Sequence, residues 1–223
     1  MTIWTSGFKS IGMITAKVAI ATAAAVGGVA LVSSSVLATL TATASNTTGG
    51  SVTSGTLILT QAASTTSGIT GGFSTAIAGL APGDLVNRYI VLTDGGTLDG
   101  SSITLGAVGT GSNTLTTDGT KGLQVTVKQC SVAWTSSGTC AETETTVMAS
   151  SSMLSLATPA TLTLQPNSLL SGAVTHLQIG ISLPTISEVT VNGVLPVGTI
   201  QGLTTAITWT FTKTQRTGQT FNS

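Results

Sequence analysis

Charge is what this 223-residue chain has least of. Only 6% of its residues are Asp, Glu, Lys or Arg, seven of each sign, and it holds a single histidine, two cysteines and five prolines. Ordinary soluble domains carry about 25% charged residues. Nucleic-acid binding needs clustered Lys and Arg to neutralise phosphates, and no basic run exists here. A collagen-like chain is excluded by the scarcity of proline and the lack of a Gly-X-Y period. Acid–base or metal-dependent catalysis is starved of side chains, because the titratable groups are few and scattered. With 41% hydrophobic residues the chain is nevertheless apolar enough to bury a core, so charge-driven disorder is excluded as well.

What the chain has in abundance is Gly, Ser, Thr and small aliphatic residues. Lys9 and Lys17 are the only charges before Asp84, and an apolar run from Val18 to Val32 follows them. A positive start, a short apolar stretch and small residues beyond it describe a secretory signal peptide over 1–38. Cleavage after Ala38 fits Val36-Leu37-Ala38, and cleavage after Ala44 fits Ala42-Thr43-Ala44. A retained membrane anchor over Val18–Leu40 is the alternative, weakened by Gly27, Gly28 and Ser33-Ser34-Ser35. Removing 1–38 leaves five basic and seven acidic groups. Cys130 and Cys140 both lie in the exported part, where an oxidising compartment favours a disulfide clamping a hairpin loop.

After residue 40 the dominant period is two. Ile207, Trp209 and Phe211 fall on one face of Thr205–Thr212, with Thr208, Thr210 and Thr212 on the other. Leu123–Lys128 repeats the pattern with Leu123, Val125 and Val127 inward, and His176–Leu183 does so again. Weaker strands are expected at Gly55–Thr60, Phe73–Ala78, Asn87–Thr93, Ser102–Gly106, Thr145–Ala149, Thr161–Leu164 and Val189–Val191. Turn signals separate them at Ala81-Pro82-Gly83-Asp84, Asp94-Gly95-Gly96, Asp118-Gly119 and Val191-Asn192-Gly193, and Gly109–Thr120 reads as an exposed loop. About ten short strands in one domain, 55–223, predict an all-β, antiparallel two-sheet sandwich of jelly-roll-like type. Residues 39–54 form an N-terminal arm. Within it Thr39, Leu40, Thr41, Ala42, Thr43, Ala44, Ser45 and Asn46 alternate but have little to bury, which suits a strand donated to another subunit's sheet edge.

Several of these segments resemble the TasA/CalY (camelysin) proteins. Ser54-Gly55-Thr56-Leu57-Ile58-Leu59 is similar to that family's first strand. Leu80-Ala81-Pro82-Gly83-Asp84 followed by Arg88-Tyr89-Ile90-Val91 resembles its Pro-Gly-Asp turn and next strand, and Gly95-Gly96-Thr97-Leu98 the small-residue stretch after it. Trp209-Thr210-Phe211-Thr212-Lys213-Thr214-Gln215-Arg216 resembles its ending. The low charge and the disulfide loop depart from the bacilli-type members. The resemblance implies a secreted bacterial jelly-roll subunit of biofilm-matrix fibres, which grow when each subunit's N-terminal strand inserts into its neighbour. The donor strand would lie within Thr39–Asn46. The expected partners are further copies of the chain, with other matrix proteins as additional candidates, and the membrane is met only through the signal peptide.

The name camelysin carries a metalloprotease assignment, so the residues are weighed for chemistry. Zinc proteolysis needs about three ligands, and His176 stands alone in a strand with no Glu after it. Asp84, Asp94, Asp99 and Asp118 suit calcium better, but Asp94-Gly95-Gly96 and Asp118-Gly119 are more simply turns in which Asp caps its own backbone. No Gly-x-Ser-x-Gly elbow accompanies His176. Glu142 and Glu144 read as solvated loop charges rather than a glycosidase pair, and Arg88 as a strand-edge charge. Trp134, inside the disulfide loop, is either a packing lid or an exposed carbohydrate platform. The expectation is therefore no catalytic residue, no cofactor and no metal. A secreted endopeptidase and a monomeric adhesin or carbohydrate-binding module are the rivals.

Overall fold

Alternating β-branched and aliphatic residues give eight strands in the computed structural model, which describes residues 53–186 and 188–220. The expected signal peptide over 1–38, the expected cleavage site at Ala38 and the expected donor segment Thr39–Asn46 lie outside the described residues. In chain order the elements are β1 (Leu59–Ala63), β2 (Leu85–Asp94), β3 (Gly100–Gly109), α1 (Thr114–Thr117), β4 (Gln124–Cys130), β5 (Glu144–Ser152), α2 (Met153–Leu156), β6 (Ala160–Thr161), β7 (Val174–Ser182) and β8 (Ile207–Gln215). They form two sheets, β1-β2-β7-β4-β5 and β6-β3-β8. Every strand pair in them is antiparallel. The protein is thus mostly β with two antiparallel sheets around a shared core. Among the described residues no helix is long and apolar enough to cross a membrane.

The period-two pattern decides which face each strand buries. Register places Ile90 opposite Leu177 and Val127 opposite Ile179. These side chains, with Leu92, Val125 and Ile181, pack on Ile103 and Leu105 of the three-stranded sheet. The expected alternation in β8 is present: Ile207, Trp209 and Phe211 are half-buried and the threonines between them exposed. Lys213 continues the inward row and is buried.

Expected elements that differ do so for local reasons. Phe73–Ala78 has no ladder partner, because the carbonyls of Thr75 and Ala76 accept hydrogen bonds from the Arg88 guanidinium instead. Val189–Val191 shrinks to one bridge, Val191 to Val194, around Asn192 (φ 49°) and Gly193 (φ 75°). Two successive left-handed residues make this a tight hairpin turn. Gly109–Thr120 contains α1, whose first turn is capped by Asn113 Oδ1 accepting from the Leu115 N–H. Strand β1 begins only at Leu59, yet the carbonyls of Thr56 and Ile58 already accept from Leu98 and Gly95.

A second, smaller cluster lies on the opposite face of the five-stranded sheet. Cys130 and Cys140 form a disulfide with a Cα–Cα distance of 5.5 Å. The loop it closes folds Trp134 down onto Tyr89, with ring centroids 5.6 Å apart and planes at 62°. Trp134 is only 2% exposed, so it is a packing lid and presents no stacking platform. Gly138 (φ +75°) passes directly over the Tyr89 hydroxyl, where a Cβ would collide with it. Its carbonyl accepts from Tyr89 Oη at 3.3 Å, and Gln178 Nε2 donates to that same Oη at 2.8 Å. Closing so short a loop restricts the unfolded chain by about 2–3 kcal/mol. Cys130→Ser with Cys140→Ser is therefore expected to lower unfolding free energy by that amount in urea titration, and added reductant should reproduce the loss in the parent chain.

Candidate functional site

The two sheets are unequal, and the mismatch creates the main cavity. Strands stack about 4.8 Å apart within a sheet, so three strands cannot cover the inner face of five. On the β8 side a groove of about 970 Å³ remains. Leu123 and the β7 end (Ile181, Leu183) line one wall, and Ile207 and Trp209 of β8 line the other. Residues 73–82 and 200–206 form its rims. Phe73 stacks on Trp209 with centroids 4.9 Å apart, and Ile77 and Leu80 pack against the core from the rim. Among the described residues β8 is bonded to β3 only. An edge strand presents a row of N–H and C=O groups with no ladder partner.

Arg88 holds the rim in place. Far from being a strand-edge charge, it lies in β2, between β1 and β7, and is 5% exposed. Side chains alternate along β2, so Arg88 shares the inward face with Ile90 and Leu92, and its register partner is Ile179. Its guanidinium donates to the carbonyls of Thr75 (3.1 Å), Ala76 (3.4 Å) and Asn87 (3.3 Å). Burial lowers its pKa, but a guanidinium stays protonated. The carbonyls of the rim thus satisfy the Arg88 cation at the groove wall, and most of the groove lining is left apolar. Glu188, at the other rim, accepts from Thr199 Oγ1 and the Ile200 N–H.

The remaining candidate residues are dispersed. Asp84 accepts from the Ala81 N–H and Asp118 from Thr120 and Lys121, so both are turn caps. Asp99 binds the Ser171 N–H. Asp94 accepts from the Gly96 N–H and is also in contact with Lys213. Glu142 accepts from Ser131 Oγ, and Glu144 pairs with Lys128 at 2.7 Å. His176 is half-buried in β7, opposite Cys130 and Val91. Among the described residues no three His, Cys, Asp or Glu side chains come together as a metal site would require. Sequence reasoning missed the groove, because its walls come from segments up to 136 residues apart, Phe73 and Trp209. The only local signal was the inward row of β8. The chain matches no protein-family model and no curated protein.

Two outcomes follow from these placements. Arg88→Met strands the carbonyls of Thr75 and Ala76, and hydrogen bonds to a charged group are worth about 1.5–3 kcal/mol. The variant should lose about 2 kcal/mol in urea titration, with faster amide exchange confined to 73–80. The pH dependence has contributions from His176 and Glu188, and from Asp118, whose pKa the Lys121 and Thr120 N–H groups lower in the same sense as that of Glu188. Desolvation lowers the His176 pKa, so below about pH 6.5 the unfolded chain takes up a proton that the folded chain refuses. The Thr199 hydroxyl, then the Ile200 N–H, lowers the Glu188 pKa, and this support is present at neutral pH and lost as pH falls through the folded value. All three act in the same direction, so the melting temperature should fall steadily from pH 7 to pH 4, and His176→Gln should flatten the part of that fall above pH 5.

Proposed function

We propose that this chain is a secreted structural subunit of extracellular fibres, in a biofilm matrix or at a bacterial surface. In this reading it is a jelly-roll-type subunit of TasA/CalY-like character that acts by assembly and not by catalysis. Each copy inserts its Thr39–Asn46 segment beside β8 of the next. The observation that carries this reading is the largely apolar groove beside the beginning of β8, a strand that among the described residues is hydrogen-bonded on one side only.

The dimensions support it. Eight extended residues span about 26 Å, close to the length of nine-residue β8. Added there, the donated strand gives its N–H and C=O groups to the edge of the smaller sheet and extends that sheet over the uncovered inner face of the larger one. Its alternation places Leu40, Ala42 and Ala44 on one side and Thr39, Thr41 and Thr43 on the other. Leu40, Ala42 and Ala44 enter a groove lined by Ile77, Leu80, Ile181 and Ile207, and the threonines continue the Thr208–Thr210–Thr212 row on the outer surface. Contacts of this kind come from the main chain and from small apolar side chains, which suits a sequence with so little charge. The partners are further copies of the chain, with other matrix proteins as alternatives at fibre ends.

Deleting Thr39–Asn46 should leave a folded sandwich with an unchanged urea midpoint that forms no fibres in negative-stain images. Ala78→Arg, at an exposed position on the groove rim, should also leave the fold intact and weaken assembly at least tenfold, or about 1.4 kcal/mol per contact. Fibres of normal yield from the deletion would refute the proposal.

A further inference from the structure

Two side chains of opposite charge are sealed inside the sandwich and take no part in the groove. Asp94 ends β2 in the five-stranded sheet, and Lys213 lies in β8 of the three-stranded sheet. Their side chains are 3% and 1% exposed, and Lys213 Nζ is in direct contact with Asp94 Oδ2. Lys213 occupies an inward position of β8, in line with Ile207, Trp209 and Phe211, where the period-two pattern places an apolar residue. Its stem runs so close to Gly100 that a Cβ there would strike Lys213 Cε. The polar surroundings of the pair are sparse. Asp94 Oδ1 accepts from the Gly96 N–H at 3.0 Å, and the Leu98 carbonyl accepts from Lys213 Nζ at 3.4 Å. Among the described residues neither group has another charged partner.

An ion pair in such a place is expensive to maintain, because desolvation removes most of what the Coulomb attraction returns. Moving one proton from ammonium to carboxylate abolishes both charges. It leaves a neutral amine held against a neutral carboxylic acid, and these are the two reactants of an amide. Burial lowers the Lys213 pKa, which favours the free amine. Holding two reactants in contact replaces a bimolecular encounter by an effective concentration of the order of 10⁵ M or more.

We propose that Asp94 and Lys213 are joined by an intramolecular isopeptide bond that links the two sheets. The Lys213 Nζ lone pair attacks Asp94 Cγ, forming the Nζ–Cγ bond. Oδ1, held by the Gly96 N–H, carries the developing negative charge and becomes the amide oxygen. The Cγ–Oδ2 bond breaks, and Oδ2 leaves as water with the carboxylic proton and one proton from Nζ. The hydrogen that remains on Nζ is directed to the Leu98 carbonyl. Nothing is oxidised or reduced and no co-reactant is consumed. The exclusion of water that made the ion pair costly also shields the product from hydrolysis.

The bond does not depend on the assembly reading, and its test is a mass measurement on the parent chain. The full chain, N-terminally sequenced, denatured and with its disulfide reduced, is weighed intact and then digested for tandem mass spectrometry. The expected chain is lighter than its sequence by one water molecule, with residues 94 and 213 in a single branched peptide that reduction does not separate. Lys213→Arg keeps the cation, cannot form the amide and should show the full mass. A parent chain of full mass overturns the proposal. So does a chain lighter by one water with 94 and 213 in separate peptides, as succinimide formation at Asp94-Gly95 or Asp118-Gly119 would give.

Discussion

Among the described residues strand β8 is hydrogen-bonded on one side only, and most of what distinguishes this molecule follows from that. A sandwich of five strands against three leaves apolar inner surface without a cover. The chain fills part of the gap with the rim at 73–82, pinned by Arg88, and with Phe73 stacked on Trp209. It leaves the remainder as a groove. Natural proteins protect open edges with charge, proline or bulges. The exposed side chains of β8 are Thr208, Thr210, Thr212, Thr214 and Gln215, none of which repels an incoming strand. The bulge recorded in its ladder with β3 lies at the far end, between Gly100 and Ser102. An edge so lightly guarded beside an apolar groove is a liability in a monomer and an asset in a polymer.

The scarcity of charge fits the same logic, since most acidic groups already have local work. Asp84 and Asp118 close turns, Asp99 and Glu188 hold loop N–H groups, and Glu144 meets Lys128. Little is left over to build a charged recognition surface or a catalytic constellation. Specificity in the proposed assembly therefore rests on shape, strand register and main-chain pairing. Register is strongly specified wherever one face of a strand is buried, because a one-residue slip turns every side chain over.

The strands with strict alternation and β-branched residues were legible in the sequence. Leu123, Val125, Val127, Leu177, Ile179 and Ile181 all bury as their spacing implies. The disulfide and the lid role of Trp134 were also legible, one from two cysteines ten residues apart and the other as the simpler of two readings. Phe73–Ala78 was not, because its fate depends on a guanidinium from a strand more than ten residues later. Arg88 itself misled, since a charged residue in a strand is ordinarily at the surface, and only tertiary structure supplies the carbonyls that let it be buried. The burial of Lys213, on which the sequence is silent, depends on tertiary structure in the same way. Propensity and period describe a segment and its faces; they do not say which distant backbone will satisfy a polar group there.

The positions of the links along β8 bear on the proposed assembly. The groove is lined by residues 204–207 and 209, at the beginning of the strand and just before it. Lys213 and its Asp94 contact are near the other end, where Asp99 also receives the Arg216 N–H through its carbonyl. The disulfide lies on the outer face of the larger sheet. The Asp94–Lys213 contact and the disulfide are thus both placed away from the groove. A strand that must accept a partner needs local freedom where the partner enters, because side chains there repack as the groove fills. It also needs a firm hold elsewhere, because load passing from subunit to subunit through added strands would otherwise peel β8 from β3. Anchoring one end of β8 and leaving the other accessible meets both requirements within a single strand.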